Sequence, residues 1–149
     1  MPSGFEVLLV EPGHLLRRTV SLTLRSLNTA EVTESATYQT AQSLCERRAF
    51  DAAVIAVEWP LPLEAYRGLT LIQQIRSGES ACAASMPVAV MVEACTGELL
   101  EVLRACGISR VLIKPFRVRD VVDTIERMKA GMERLPPPRN GNPGAAAHR

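Results

Sequence analysis

The side chains able to do chemistry in this chain are few and far apart. Glu11, Glu58 and Glu93 are carboxylates that each follow a short apolar run, and Lys114 is an ammonium group in the same kind of position. Carboxylate oxygens gathered at one place are what a hard divalent cation requires. Three acids at separate loop starts are ordinarily solvated, however, so no metal and no cofactor is assigned. Lys114 is read as an ion-pair partner of Glu11, Glu58 or Glu93. His14 has no second histidine and no nucleophilic Ser or Cys in a recognisable motif, which leaves catalysis unsupported, and the chain is not read as an enzyme. The turn Glu11-Pro12-Gly13-His14 contains one glycine, too few for a loop that cradles phosphates.

The four cysteines, Cys45, Cys82, Cys95 and Cys106, show neither CxxC nor Cys/His metal spacing. Reduced thiols in a cytoplasmic protein are therefore expected. Cys95 lies close to a predicted helix N-terminus, which favours a thiolate, so a redox-sensing role is weighed there against the plainer reading of an inert thiol. Arg17-Arg18 and Arg47-Arg48 are basic pairs, but 17 basic residues stand against 16 acidic ones for a net charge of +1. With no aromatic residues interleaved, these pairs read as solvated faces, and no nucleic-acid partner is expected. The longest apolar runs fall far short of the roughly 20 residues that cross a bilayer, so no membrane role is expected either.

These residues have to be positioned by the elements between them. The chain has 149 residues, 47% hydrophobic, 22% charged and 4% aromatic, which suits one domain with an aliphatic core. Phe5 to Val10, Ala52 to Val57, Pro87 to Val92 and Arg110 to Ile113 read as strands, with Ala30 to Ser35 a weaker one. Helical periodicity fills the intervals. It runs over His14 to Leu27, with Leu15, Leu16, Val20, Leu24 and Leu27 at helical spacing, and over Tyr38 to Arg48, Gly68 to Arg76 and Glu98 to Cys106. A last amphipathic helix starts near Val118 and carries Val121, Val122, Ile125, Met128, Met132 and Leu135 on one stripe. Residues 1–134 form the expected domain. Residues 135–149, PPPRNGNPGAAAHR after Leu135, have almost nothing to bury and read as a disordered Pro/Gly/Ala-rich tail, whose Pro136-Pro137-Pro138 could adopt polyproline II.

Five βα units imply an α/β, doubly wound parallel sheet with helices on both faces, because parallel strands need right-handed crossovers. Sites in such folds lie at the carboxyl ends of the strands. The residues to interrogate are then Glu11 and Pro12, Ala56 to Trp59, Val92 and Glu93, and Lys114.

Val7 to Arg18 (VLLVEPGHLLRR), Phe50 to Pro60 (FDAAVIAVEWP), Pro87 to Val92 and Gly107 to Phe116 (GISRVLIKPF) together resemble the receiver domain of bacterial two-component response regulators. The resemblance spans about residues 5 to 133, and Lys114-Pro115-Phe116 is its most specific element. It implies a flavodoxin-like sheet of five strands in the order 2-1-3-4-5 and a cis bond before Pro115. In an active receiver, two acids after the first strand and an aspartate ending the third hold magnesium, and that aspartate is phosphorylated. Here Glu11 matches the first acid, but the second falls on Pro12 and the phosphoacceptor on Ala56. The hydroxyl position of the fourth strand is Val92, and the aromatic switch position of the fifth is Val111. Lys114, which pairs with the phosphoryl group in the family, is retained. Gly68 follows Pro60 by eight residues where the family usually has four, which places an insertion around Pro62 to Arg67.

The expectation is a stand-alone, degenerate receiver, a phosphorylation-independent interaction module. Aliphatic residues at Ala56, Val92 and Val111 are expected to fill the old pocket and lock one conformation. Binding would use the face of helix four, strand five and helix five, carrying Glu98, Glu101, Arg104, Arg110, Arg117, Arg119 and Asp120. A histidine kinase, another regulator or a second copy of the chain would be the partner. The alternatives are a phosphorelay receiver with an unusual carboxylate acceptor such as Glu58, and a thiol redox sensor.

Overall fold

Consecutive apolar residues form the central strands because each is covered on both faces. In the computed structural model, which describes residues 4–58 and 67–134, the strands are β1 (Glu6–Val10), β2 (Glu31–Ser35), β3 (Ala52–Ala56), β4 (Val88–Val92) and β5 (Arg110–Ile113). They alternate with α1 (His14–Ser26), α2 (Tyr38–Arg47), α3 (Arg67–Arg76), α4 (Gly97–Ala105) and α5 (Val118–Arg134). All pairings are parallel and the order is β2-β1-β3-β4-β5, the doubly wound arrangement expected. Every residue of β3 and β4 is buried, whereas β2 at the edge is only partly so.

The two-residue period of a strand sorts side chains into two cores. Val7, Leu9, Val54, Ala56 and Met91 pack with Val20 and Leu24 of α1 and Val121 and Ile125 of α5. On the other face, Val10, Ile55, Val90 and Val92 pack with Cys45 of α2, Ile72 of α3 and Leu103 of α4. Ala56 and Val92 end adjacent strands, yet they point to opposite faces, because Ala56 pairs with Met91.

Helix starts are set by local chemistry. The Thr37 side chain accepts from Thr40 N–H at 3.1 Å, and Thr96 accepts from Leu99 N–H at 3.1 Å, capping α2 and α4. From the last residue of α3, the Arg76 guanidinium donates to the carbonyls of Cys106 at 2.6 Å, Met86 at 2.7 Å and Ala84 at 2.8 Å. It thereby ties the α3–β4 connector to the α4–β5 turn. No helix among the described residues is long and apolar enough to cross a membrane.

Two expectations are corrected. Leu15 and Leu27 do not belong to the inward stripe of α1, being 78% and 59% exposed. The buried line runs through Val20 and Leu24, Leu15 lies about 100° round the helix from half-buried Leu16, and Leu27 is the C-cap. The basic residues Arg17 and Arg18 are not a free solvated face, since both pair with Glu34 of β2. The insertion around Pro62 to Arg67, apart from Arg67, and the tail 135–149 lie outside the described residues.

Candidate functional site at the carboxyl ends of the strands

Glu11 leaves β1 still hydrogen-bonded to the sheet, its N–H donating to Ser35 carbonyl at 3.1 Å. Its carboxylate is buried and both oxygens are occupied. Oε2 accepts from Gly13 N–H at 2.7 Å, and Oε1 lies 3.1 Å from Lys114 Nζ. A side chain at position 13 would place its Cβ 2.9 Å from Glu11 Oε2, so glycine permits the turn to wrap the acid. Lys114 is fixed from β4, donating its N–H to Val92 carbonyl at 2.8 Å, and its ammonium also lies 3.8 Å from Glu93 Oε2. The Lys114–Pro115 peptide bond is cis. Of the three acids considered for Lys114, the structure brings it to Glu11 and Glu93; no ion pair with Glu58 is formed among the described residues.

Ala56 presents a methyl group where the resemblance places the phosphoacceptor. Its carbonyl accepts from Tyr38 Oη at 2.7 Å, and α3 begins so close that a Cβ on Gly68 would lie 2.4 Å from the same oxygen. Burial, with the nearby Glu58 and Glu11 charges adding to it, pushes the Tyr38 hydroxyl well above the usual phenol range, so it remains a donor. Tyr38 and Gly68 clamp the end of β3 from the α2 and α3 side.

A third support comes from α1. Arg17 donates from Nη1 to the Glu11 carbonyl at 2.9 Å, while its Nε lies 3.3 Å from Glu34 Oε1. Arg18 donates to the other oxygen of Glu34. Burial works against ionisation of Glu34, but the guanidiniums of Arg18 and Arg17 outweigh it and hold the acid below its ordinary value of 4.5. Arg17, Tyr38 and Gly68 escape sequence reasoning because their partners are distant in the chain. Only the β1–β2 pairing, for instance, sets Glu34 beside Arg17.

The cleft among these groups measures about 350 Å³ and is lined by the Glu11–Gly13 turn, Ala56, Glu58, Met91, Glu93 and Lys114. The expectation of an apolar plug is thus corrected. Val92 is 1% exposed but faces the α2–α4 core, and half-buried Val111 packs against that same core, so neither fills the space above Ala56. The aliphatic residues Val92 and Val111 thus leave the cleft open. The donor set does not fit a magnesium ion: Pro12 and Ala56 have no side-chain oxygen, and both oxygens of Glu11 are committed to Lys114 and Gly13. Glu58 and Glu93 are exposed at the rim. Among the described residues, no three His, Cys, Asp or Glu side chains converge on a metal position.

On the α4–β5–α5 side, Glu98, Glu101, Arg104, Arg117 and Arg119 are exposed. Two members of the expected face are engaged internally instead. Arg110 donates to Thr124 Oγ1 at 3.1 Å, and Asp120 Oδ2 accepts from Arg117 N–H at 3.0 Å, securing the start of α5. Val102 of α4, 37% exposed, and Ile113 of β5, 52% exposed, add apolar contact area that the charge pattern alone does not reveal. Cys95 is half-buried against the α2–α4 core, with its sulfur 3.8 Å from Thr96 carbonyl.

No family model matches the chain, and no curated protein matches it in sequence. Solved structures do match in three dimensions. Chemotaxis protein CheY4 of Vibrio cholerae superposes with a TM-score of 0.69 at 22% identity, covering 83% of this chain and 98% of its own. The CheY-like response regulator receiver domain of Methanospirillum hungatei gives 0.72 at 17% identity, over 88% of this chain and 98% of its own. The signal receiver domain of an HD domain-containing protein from Pseudomonas fluorescens gives 0.72 at 18%, with the same coverage. The chain has the receiver-domain fold of two-component response regulators.

Proposed function

We propose that the protein is a degenerate receiver of bacterial two-component signalling, acting in the cytoplasm as a protein-interaction module whose output does not depend on aspartyl phosphorylation. The observation that carries this reading is the pairing of Glu11 with Lys114 at 3.1 Å above a methyl group at Ala56. In a working receiver the lysine answers the charge of a phosphorylated side chain. Here the carboxylate it answers belongs to Glu11, a residue of the chain itself. Phosphoryl transfer needs an acceptor oxygen and charge neutralisation at the transferred group, and the described residues of this cleft offer no acceptor at the matching position and no unpaired cation beside it.

Binding then falls to the surface. The exposed charges of α4 and α5, with Val102 and Ile113 among them, suit a histidine kinase, another regulator or a second copy of the chain. Incubation with acetyl phosphate and magnesium, followed by intact mass measurement, tests the reading. An unchanged mass is expected. A stable phosphoryl adduct mapped to Glu58 or Glu93, the two rim carboxylates, would replace it with a phosphorelay receiver using an unusual acceptor.

A further inference from the structure

The α2–α4 core contains two thiols that the cleft does not use. Cys45 sits on the buried side of α2 and Cys82 on the connector between α3 and β4; they are 0% and 4% exposed. The backbone brings them together, since Ala81 N–H donates to the Cys45 carbonyl at 2.8 Å, directly beside Cys82. Both side chains pack into the same buried core. The backbone of Cys82 is itself held, its N–H donating to Ser80 Oγ at 3.1 Å, and its thiol donates to the Arg48 carbonyl at 3.4 Å when protonated.

The two sulfurs are chemically unequal. The neighbouring Cys45 thiol works against burial and draws the Cys82 thiol below its ordinary value. The nearness of Cys82, together with burial, pushes the Cys45 thiol up. A more acidic thiol beside a second, less acidic one has the composition of an attacking and a resolving cysteine. Ala81, Ala83 and Ala84 around Cys82 are exposed, so only a thin strip of connector separates the thiolate from solvent. By contrast, Cys106 is pushed up by burial, with the Arg76 charge opposing, and Cys95 has its hydrogen bond to the neighbouring Thr96 carbonyl.

We propose that Cys45 and Cys82 are a modification site at which hydrogen peroxide forms a reversible intramolecular disulfide joining α2 to the α3–β4 connector. The Cys82 thiolate attacks one peroxide oxygen, the O–O bond breaks, and the departing hydroxide takes a proton from solvent to become water. Cys82 is then a sulfenic acid. The Cys45 sulfur gives up its proton and attacks the Cys82 sulfur, so the S–S bond forms as the S–O bond breaks, and the departing hydroxide leaves with that proton as the second water. Two electrons pass from the sulfurs to peroxide, and a dithiol reductant reverses the change. The site is independent of the proposed role of the cleft.

The test treats the folded, full chain with hydrogen peroxide, blocks remaining thiols by alkylation, and reads intact mass and a non-reducing peptide map. The expected result is a monomer lighter by two hydrogens, with two of its four thiols protected and one cross-linked peptide containing Cys45 and Cys82. C95S/C106S keeps that cross-link. Any of three results overturns the proposal: no mass change, a bond formed through Cys95 or Cys106 or between chains, or further oxidation of Cys82 while Cys45 remains open to alkylation. The map is read on the unaltered protein, so it holds even where Cys82→Ser fails to fold.

Discussion

Glu11 and Lys114 are the pair on which the proposed reading turns. Lys114 is 22% exposed and Glu11 5%, so the pair is sheltered, and removing one partner leaves a buried charge without its counterion. Lys114→Met is expected to cost about 3 kcal/mol in urea unfolding, while the double variant E11Q/K114M costs less than the sum of the two single changes. Additive costs would mean that the two residues do not interact. Glu34 gives a pH signature. Because its folded value lies below 4.5, its contribution is complete above pH 4.5 and is lost as pH falls through the lower folded value. Glu34→Gln is therefore expected to melt lower than the parent at pH 7, with the gap narrowing as pH drops below 4.5; thermal melts across that range read it. That Glu11, Ala56 and Lys114 meet at one cleft was legible in the sequence because each directly follows or ends a strand whose length can be counted. The clamp of Tyr38 and Arg17 was not, because its hydrogen bonds cross from one element to another.

At the scale of elements, α3 must approach the end of β3 closely, and Gly68 makes this possible. Gly68→Ala would set a Cβ 2.4 Å from the Ala56 carbonyl, backbone against backbone, and is expected to cost about 1–3 kcal/mol. Gly97→Ala meets nothing within 4 Å and should change stability by less than about 0.5 kcal/mol. Equal effects of the two changes in denaturant titrations would contradict this account of the packing. All ten elements were legible to within a residue at each described end, because runs such as AAVIA and VAVMV are buried on both faces and the helices repeat with their own period. The facing of single residues was harder to read. The one-residue step from Met91 to Val92 moves a side chain to the opposite core, so Val92 sits beside the cleft in sequence and behind it in space. Leu15 fits a helical count and is nevertheless exposed, because hydrophobicity alone does not say where an inward stripe begins.

The molecule as a whole has a receiver's fold and a polar cleft, and on the proposed reading the described residues of that cleft would not let a phosphoryl ligand distinguish two conformations. A ligand shifts an equilibrium only by its differential affinity for the two states, so a cleft whose lysine is already paired has little with which to drive a switch. Magnesium alone should likewise leave the melting temperature unchanged, because a cation that finds no site adds no binding free energy to the folded state. The most direct test is an amide-shift NMR titration with magnesium and beryllofluoride, a mimic of the aspartyl phosphate, followed across the strand ends. No shifts at Ala56 and Lys114 are predicted. Saturable shifts there that spread to α4 and β5 would mean that an acyl-phosphate switch survives on another carboxylate, and would contradict the account.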